Sequence, residues 1–255
     1  MRRIAFVNEK GGSCKTTLAV NTAAFFALRR GRKVLLLDLD PQGQVGKSLG
    51  FAVRDLPVTI LDLLLDPARG PKDAILPTRI AGLDVILANK MLTDFAQEVA
   101  SADDRMTRLR DVVDRIEGYD FVLFDSPPSL GLTTLNIMLA AREIVVPVSL
   151  TFLALDGCAE IVETVENVKA NFGADLDVTL VVPTLYRKTN LADQILERLH
   201  KYFGRRVART VIGFSVKIDE AQSVGKTVWE YAPSSPGAQA LEGLALEVER
   251  KKARA

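Results

Sequence analysis

The residues Glu9-Lys10-Gly11-Gly12-Ser13-Cys14-Lys15-Thr16-Thr17 lie between the short apolar run 4–7 and a long helical pattern. Glycines allow successive backbone N–H groups to turn toward an anion, and the N-terminus of a helix favours negative charge. In such a loop Lys15 would contact the β- and γ-phosphates of a nucleotide, and Thr16 would bind Mg²⁺. The stretch therefore predicts a phosphate-binding loop between a strand and a helix. A plain Gly-Gly turn with solvated lysines is the alternative.

Two further segments place carboxylates directly after apolar runs. Residues 34–37 are continuously apolar, as in a parallel strand buried on both faces, and Asp38-Leu39-Asp40-Pro41-Gln42-Gly43 follows them. Residues 119–124 lead in the same way into Asp125-Ser126-Pro127-Pro128. A polar turn or a capping carboxylate explains either segment alone. Open α/β sheets, however, bind ligands at the carboxyl ends of their strands, where both segments would lie beside the phosphate loop.

The rest of the chain predicts alternating helices and strands. The expected helices are 16–30, 59–65, 103–116, 133–141, one that ends at Phe172, and 235–252. The expected further strands are 83–88, 143–148 and 178–182. The face of the first helix toward the sheet would comprise Leu18, Thr22, Phe25, Phe26 and Arg29, and Gly31 would end that helix. This order predicts one α/β domain over residues 1–255, with a doubly wound, mostly parallel sheet flanked by helices.

These segments resemble those of a known family. Lys10-Gly11-Gly12-x-x-Lys15-Thr16-Thr17 is similar to the deviant Walker A loop of the ParA/MinD family, K-G-G-x-G-K-[ST]-T. Residues 38–43 and 125–128 resemble that family's D-x-D-P-Q-G and D-x-P-P segments, and the pattern 153–157 also follows the family. The resemblance covers roughly residues 3–248. It implies a P-loop ATPase that dimerises around two sandwiched ATP molecules and positions DNA or protein cargo.

The resemblance also implies roles for individual residues. ATP would be bound by Lys10, Gly11, Gly12, Ser13, Cys14, Lys15, Thr16 and Thr17, and Lys10 would cross the dimer interface to the partner's phosphates. Asp40 would orient the attacking water, while Thr16, Asp38 and Asp125 would hold Mg²⁺, the carboxylates through water. Residues 42–50 would form a first switch loop. The family holds adenine in the loop after the strand 178–182, which makes Pro183 and Thr184 candidates; ordinary turn residues explain them equally well.

Cys14 is the main departure from the family pattern, because it stands where the glycine before Lys15 belongs. If this position requires a positive φ, a side chain there costs about 1 kcal/mol. A thiol at a helix N-terminus can also have a lowered pKa and be oxidisable. Three alternatives follow: a tolerated substitution, impaired hydrolysis and a redox role.

Composition limits the class of protein. The chain has 255 residues, of which 48% are hydrophobic and 25% charged, with a net charge of +1. No apolar run approaches membrane-spanning length and the N-terminus has no secretory pattern, so we expect a cytoplasmic protein. Cys14 and Cys158 provide no disulfide framework, and we expect Cys158 to pack in a helix. His200 and Trp229 are expected to be structural.

The C-terminal half carries local positive charge. Between Tyr186 and Lys217 there are two acidic residues, against eight basic ones: Arg187, Lys188, Arg198, Lys201, Arg205, Arg206, Arg209 and Lys217. A clustered basic face would bind a polyanion without reading sequence, although a solvated helix face is the alternative. Small ParA proteins bind DNA non-specifically as ATP-bound dimers through this half. The resemblance therefore implies DNA binding by Arg187, Lys188 and Lys217, and association with the nucleoid. Phe214 replaces an arginine of those relatives, which puts the DNA footprint in question.

The two ends of the chain indicate which targeting devices to expect. MinD-like relatives end in a basic amphipathic helix that binds membranes, but the residues after Val248 offer no bulky apolar side chains. We therefore expect no membrane partner. The first strand begins at Arg3, so an N-terminal helix-turn-helix is not expected either.

The favoured hypothesis is an ATP-dependent homodimeric switch that binds DNA, with hydrolysis stimulated by a partner or cargo-adaptor protein. The alternative is a pseudo-ATPase scaffold with little hydrolysis because of Cys14. A third hypothesis is another enzyme of the superfamily, such as a small-molecule ligase resembling dethiobiotin synthase. The nitrogenase iron protein is disfavoured because its cluster needs two cysteines per subunit at the interface. The sequence leaves the cargo open.

Overall fold

The computed structural model describes residues 1–151 and 154–253, and its centre is a seven-stranded sheet with the order β3-β4-β2-β5-β1-β6-β7. The strands are β1 (Arg2–Phe6), β2 (Val34–Asp38), β3 (Leu76–Pro77), β4 (Leu83–Ile86), β5 (Phe121–Asp125), β6 (Glu143–Ser149) and β7 (Asp177–Thr184). All neighbouring pairs are parallel except β3 with β4. The expected doubly wound, mostly parallel sheet is confirmed.

Helices cover both faces of this sheet. In chain order they are α1 (Lys15–Arg30), α2 (Gln44–Ser48), α3 (Ile60–Leu65), α4 (Phe95–Glu98), α5 (Arg108–Asp114), α6 (Leu132–Ala140), α7 (Ala154–Phe172), α8 (Asn190–Phe203), α9 (Val216–Ser223), α10 (Val228–Tyr231) and α11 (Pro236–Arg250). Alternate residues of each central strand enter opposite cores: Leu35 and Leu37 pack toward α3 to α8, while Val34 and Leu36 pack toward α1 and α9 to α11. Burial on both faces explains why these strands are continuously apolar.

The first helix, α1, is fixed by its ends and by the C-terminal region. Gly31 adopts φ 61° and its N–H bonds to the carbonyl of Phe26, which closes the helix as the sequence predicts. Asn21 accepts a hydrogen bond from the Val228 N–H at 3.0 Å, and its carbonyl accepts one from Trp229 Nε1 at 2.9 Å. Trp229 is therefore structural, as expected. Arg29 was expected to face the sheet and is instead exposed.

One predicted helix and one predicted loop differ from what the structure shows. The helix expected over 103–116 is shortened to α5, because the Asn136 side chain donates to the Arg105 carbonyl and accepts from the Leu109 N–H, replacing the helical bond between them. The switch loop expected over 42–50 contains α2, whose Val45 N–H is bound by Asp38 Oδ2 at 3.1 Å.

The last strand is longer than the sequence predicts. β7 continues to Thr184, which pairs with Ser149 of β6, so Pro183 and Thr184 lie in the strand rather than in the loop after it. Cys158 is buried in α7, as expected. In the pattern 153–157, Leu153 lies outside the described residues. No helix within the described ranges is long and apolar enough to cross a membrane.

Candidate nucleotide site

The central strands bring the three predicted segments to one edge of the sheet. In the parallel register Asp125 of β5 lies beside Phe6 of β1 on one side and Asp38 of β2 on the other. The loop of residues 9–14 leaves β1 at the same edge and leads into α1. The phosphate loop, the segment after β2 and the segment after β5 therefore form one site.

The phosphate loop is held at its start by Asn8, which is buried. Its amide donates to the Pro147 carbonyl of β6 at 2.6 Å, and its Oδ1 accepts from the Lys10 N–H at 2.9 Å. These bonds fix the point at which the loop leaves β1, before any ligand binds. The sequence analysis did not identify Asn8, because its partner Pro147 is 139 residues away.

The loop backbone has the conformation of an anion cradle. Gly12 has φ 69° and Cys14 has φ 72° with ψ 22°, immediately before the first turn of α1. Residues near the left-handed region turn successive N–H groups to one side, and α1 adds the positive end of its dipole. Apart from the adjoining residues of the loop, no heavy atom of residues 1–151 or 154–253 lies within 4 Å of the position that a Cβ would take at Gly11 or Gly12, so space for a ligand borders the loop.

Lys15 lies under this loop, and its side chain is 7% exposed. Its Nζ donates to the Lys10 carbonyl at 3.2 Å. Burial lowers the pKa of the Lys15 ammonium, while the nearby Asp125 and Asp40 act in the opposite direction. A buried ammonium that lacks full solvation binds a phosphate oxygen more strongly than an exposed one would.

Lys10 lies against its own α7 in this single chain. A Cβ at Gly157 would come within 2.8 Å of Lys10 Cε, so a larger residue at position 157 would displace the end of the Lys10 side chain. Any contact of Lys10 with the phosphates of a second subunit would require the side chain to leave this position.

The carboxylates Asp38 and Asp125 are fully buried next to one another. Burial is the main reason why the pKa of Asp125 is raised to about 7 and that of Asp38 lies well above its usual range; each is also raised by a neighbouring carboxylate. Asp38 accepts hydrogen bonds from the N–H groups of Asp40 and Val45, both at 3.1 Å. A cation at this point would offset the repulsion between the two groups.

The donor set fits Mg²⁺. Thr16 Oγ1 donates to Asp125 Oδ2 at 2.7 Å, whereas Asp125 Oδ1 is buried and has no hydrogen-bond partner among the described residues. A hydroxyl, a carboxylate and the phosphates of a nucleotide are the hard oxygen ligands that Mg²⁺ prefers. Asp40 accepts from the Gln42 N–H at 2.9 Å and lies at the same edge, two residues beyond Asp38.

Replacing Asp125 with asparagine is expected to raise the melting temperature of the nucleotide-free protein by about 2–4 °C, which corresponds to about 1 kcal/mol at this chain length. The amide is isosteric, still accepts from Thr16 and removes one of two adjacent buried carboxylates. Magnesium-dependent ATP turnover should fall in the same variant. Thermal denaturation with and without Mg²⁺ measures the first effect. A lower melting temperature without nucleotide would contradict the proposed repulsion.

Cys14 has the positive φ at which a side chain is strained, and its thiol pKa moves in the direction opposite to the one that a redox role would need. Burial raises the pKa of Cys14 to about 11, despite a hydrogen bond with Thr184. Its side chain packs against the core that contains α1. A thiol that stays protonated is a poor nucleophile, so the redox role has no support in this geometry.

Replacing Cys14 with glycine is expected to change ATP turnover by less than about threefold. The left-handed strain that glycine would relieve is worth only about 1 kcal/mol, and the thiol packs against the core and Thr184. Steady-state hydrolysis compared with a Cys14→Ala control, which keeps the Cβ, measures this. A rise of tenfold or more in Cys14→Gly would support the scaffold alternative.

The comparisons with known proteins agree with this geometry. A family model described as an AAA domain, AAA_31, matches residues 1–178. The chain is 41% identical to the chromosome-partitioning ATPase Soj of Thermus thermophilus over 97% of this chain and 95% of that protein. It is 38% identical to the sporulation initiation inhibitor protein Soj of Bacillus subtilis, over 96% and 97% of the two chains.

The chain belongs to the ParA/MinD family of ATPases.

A solved structure adds a likeness in three dimensions. The cobyrinic acid a,c-diamide synthase from Mycobacterium smegmatis, with bound ATP analog and magnesium, superimposes with a TM-score of 0.86 at 30% identity. The match covers 98% of this chain and 94% of that one.

In this ParA/MinD-family chain the two adenine candidates are buried. Thr184 is 0% exposed and its Oγ1 donates to the Ser13 carbonyl at 3.2 Å, so it supports the phosphate loop from below. The Pro183 carbonyl accepts a hydrogen bond from the Ile212 N–H. A contact with adenine by either residue remains a prediction.

A second support comes from α9. Gln222 Nε2 donates to Thr17 Oγ1 at 3.0 Å, which connects the first turn of α1 to the helix that carries Lys217. Sequence reasoning missed this contact because 205 residues separate the partners. Lys217 itself forms an ion pair with Glu220 at 2.8 Å.

The predicted basic face is divided in two by the fold. Arg187 and Lys188 follow the carboxyl end of β7, whereas α8 returns the chain to the other edge of the sheet, where Arg205 and Arg206 line a cavity with residues 177–179. Fourteen helical residues span about 21 Å, which explains the separation. Arg205 and Arg206 therefore lie apart from Arg187 and Lys188, and DNA binding by Arg187, Lys188 and Lys217 stays a prediction.

Phe214 lies within the first of these two groups. Its ring is 48% exposed, and the Arg187 guanidinium carbon lies 4.7 Å from the ring centroid. This cation–π contact holds Arg187 over the ring in the absence of any partner. Phe214 thus positions a neighbouring arginine.

Proposed function

We propose that this chain is an ATP-dependent switch that dimerises with bound nucleotide, binds DNA without sequence preference and positions a large intracellular cargo. The observation that carries the proposal is the meeting of the phosphate loop, Asp38, Asp40 and Asp125 at one edge of the sheet. The relatives named chromosome-partitioning ATPase and the synthase structure with an ATP analog and magnesium support ATP and Mg²⁺ as the cofactors.

Each residue of the site then has a chemical task. The loop residues Lys10 to Thr17 bind the phosphates, and the buried ammonium of Lys15 neutralises the β- and γ-phosphates. Thr16 and, through water, Asp38 and Asp125 would hold Mg²⁺, which would supply electrostatic stabilisation of the transferred phosphoryl group. Asp40 orients the attacking water. Lys10 leaves Gly157 and contacts the phosphates of the second subunit.

DNA binding is assigned to the exposed cations near the carboxyl end of β7 and on α9. Arg187 and Lys188 are exposed, and Lys217 has a side chain that is 54% exposed. In a dimer each such group is present twice, so that phosphate contacts made by both subunits add. The contact between Gln222 and Thr17 offers a physical link from the occupied phosphate loop to α9. Association with the nucleoid in the cytoplasm follows from this activity.

Replacing Arg187 and Lys188 together with alanine is expected to weaken DNA binding about equally for unrelated sequences. The slope of log Kobs against log[salt] should become shallower by roughly two units per subunit, since each lost phosphate contact contributes about 0.9. Filter binding or fluorescence anisotropy across a salt series measures the slope. An Arg32→Ala/Arg54→Ala variant, which removes two exposed arginines elsewhere, is the matched control.

Stimulation by a partner protein is tested by measuring the rate of ATP turnover in the presence of DNA and of candidate partner proteins encoded by neighbouring genes. The proposal predicts slow hydrolysis alone and faster hydrolysis with both. Bound ATP with no turnover under any stimulus would favour the scaffold alternative.

The likeness to a diamide synthase favours a small-molecule ligase as the second candidate. A ligase would be stabilised against heat by its carboxylic acid substrate, and its turnover would depend on that acid rather than on DNA. Screening small carboxylic acids by thermal shift in the presence of ATP and Mg²⁺ distinguishes the two functions.

A further inference from the structure

A second concave site lies at the amino end of β7, away from the phosphate loop. Its cavity has a volume of about 490 Å³, and its floor includes Val178 and Thr179. Five basic residues line it: Lys169, Arg205, Arg206, Lys251 and Lys252. Neither the nucleotide site nor the proposed DNA surface uses these residues.

The cations reach this cavity from three separate helices. Lys169 belongs to the last turn of α7, Arg205 and Arg206 follow the end of α8, and Lys251 and Lys252 follow the end of α11. Helix C-termini attract positive charge, each with the effect of about half a negative elementary charge. This attraction accounts for part of the positive cluster, and it reduces the charge that is left to bind an anionic ligand.

The charge balance leaves a positive surplus. Asp175 and Asp177 are the acidic residues of the lining; Asp175 pairs with Arg142 at 3.3 Å and Asp177 with Lys169 at 3.4 Å. Lys169 also pairs with Glu166 at 3.5 Å and Glu247 lies near Lys251, so the positive surplus rests on Arg205, Arg206 and Lys252. Within residues 1–151 and 154–253, no carboxylate lies within 4 Å of the charged groups of Arg205, Arg206 or Lys252.

The C-terminal wall of the cavity is fixed in place. Arg2 Nη2 donates to the carbonyls of Val248 and Lys251 at 2.9 and 2.6 Å, and the same guanidinium pairs with Glu143 at 2.6 Å. The Lys251 ammonium donates to the Arg205 carbonyl, which joins two walls. Burial lowers the pKa of Lys251. These bonds join the chain segments that carry Lys251 and Arg205, while the side chains of Arg205, Arg206 and Lys252 are exposed.

We propose that this cavity binds a compact, doubly charged phosphate-bearing anion, with Arg205, Arg206 and Lys252 as its main ligands. Guanidinium groups suit the oxygens of a phosphate because they donate in pairs. The volume is in the range of small-molecule sites. A pocket with aspartates at its rim suits a compact anion better than a continuous polyanion such as DNA.

Calorimetry with inorganic pyrophosphate as the probe tests this site. The full-length chain is used in magnesium-free buffer with excess ADP, which occupies the phosphate loop. We expect one pyrophosphate per chain, and at least tenfold weaker binding in Arg205→Gln/Arg206→Gln and in Lys252→Gln. The control Arg32→Gln/Arg54→Gln, which removes two exposed arginines from other surfaces, should bind as the wild type does. Unchanged melting temperatures confirm that the variants fold.

Three results would overturn the proposal. The first is no pyrophosphate binding by the wild type in the presence of ADP. The second is equal binding by the wild type and both cavity variants. The third is a loss of affinity for a short DNA duplex in the cavity variants as large as the loss for pyrophosphate, because the group would then belong to a DNA-binding surface.

Discussion

Replacing Lys15 with alanine is expected to weaken ATP binding by at least about 30-fold and to abolish measurable turnover. Lys15 is 7% exposed as a residue and its ammonium lies near Asp125 and Asp40, so its charge is poorly screened by water. A charge-assisted hydrogen bond to phosphate in such a place contributes about 2 kcal/mol or more. Equilibrium titration with a fluorescent ATP analogue and steady-state hydrolysis measure the two effects.

Two controls separate this loss from damage to the fold. Lys33→Ala removes an exposed lysine just before β2 and should leave ATP binding unchanged. Lys15→Ala itself should unfold in the same single transition as the wild type, at a somewhat lower temperature, because the buried Asp125 loses the nearby ammonium. ATP binding within threefold of wild type in Lys15→Ala would show that nucleotide does not occupy this loop.

Replacing Asp40 with alanine is expected to lower ATP turnover by about 100-fold to 1,000-fold while ATP binding stays within a few-fold of wild type. A group that positions or polarises the attacking water acts in the transition state, and its loss typically costs this much in rate. Asp40 is nearly buried at the same edge as the phosphate loop. Pre-steady-state hydrolysis and ATP titration on the same sample separate chemistry from binding.

Asp40→Asn is the matched control for the local fold. The amide oxygen still accepts the Gln42 N–H, which the carboxylate bonds at 2.9 Å, so the segment before α2 keeps its shape. Both variants should lose turnover, while the asparagine variant should keep the wild-type melting temperature. Turnover in Asp40→Asn that equals the wild type would assign the water-positioning role to another group.

The local parts of the site could be predicted from the sequence because their geometry is local. The order of strand, glycine loop and helix fixes where Lys15 and Thr16 lie, and parallel strands bring Asp38 and Asp125 to one edge. The apolar runs 34–37 and 121–124 predicted the buried strands β2 and β5, and the pairing of these strands placed the two carboxylates side by side.

The parts that escaped prediction depend on contacts between distant residues. Asn8 with Pro147, Thr184 with Ser13, and Gln222 with Thr17 all join segments more than 100 residues apart, so no local pattern signals them. The thiol pKa of Cys14 follows from burial in the core, which outweighs the effect of the helix terminus considered from sequence. The basic residues 187–217 formed one cluster in sequence only, because α8 carries Arg205 and Arg206 away from Arg187 and Lys188, to the amino end of β7.

The most direct test of the nucleotide switch compares DNA binding by the wild-type chain with ATP and Mg²⁺, with ADP and Mg²⁺, and without nucleotide, across a salt series. The proposed switch predicts binding to unrelated DNA sequences with ATP, a steep loss of affinity as salt rises, and little binding in the other two conditions. Equal DNA binding in all three conditions would contradict it.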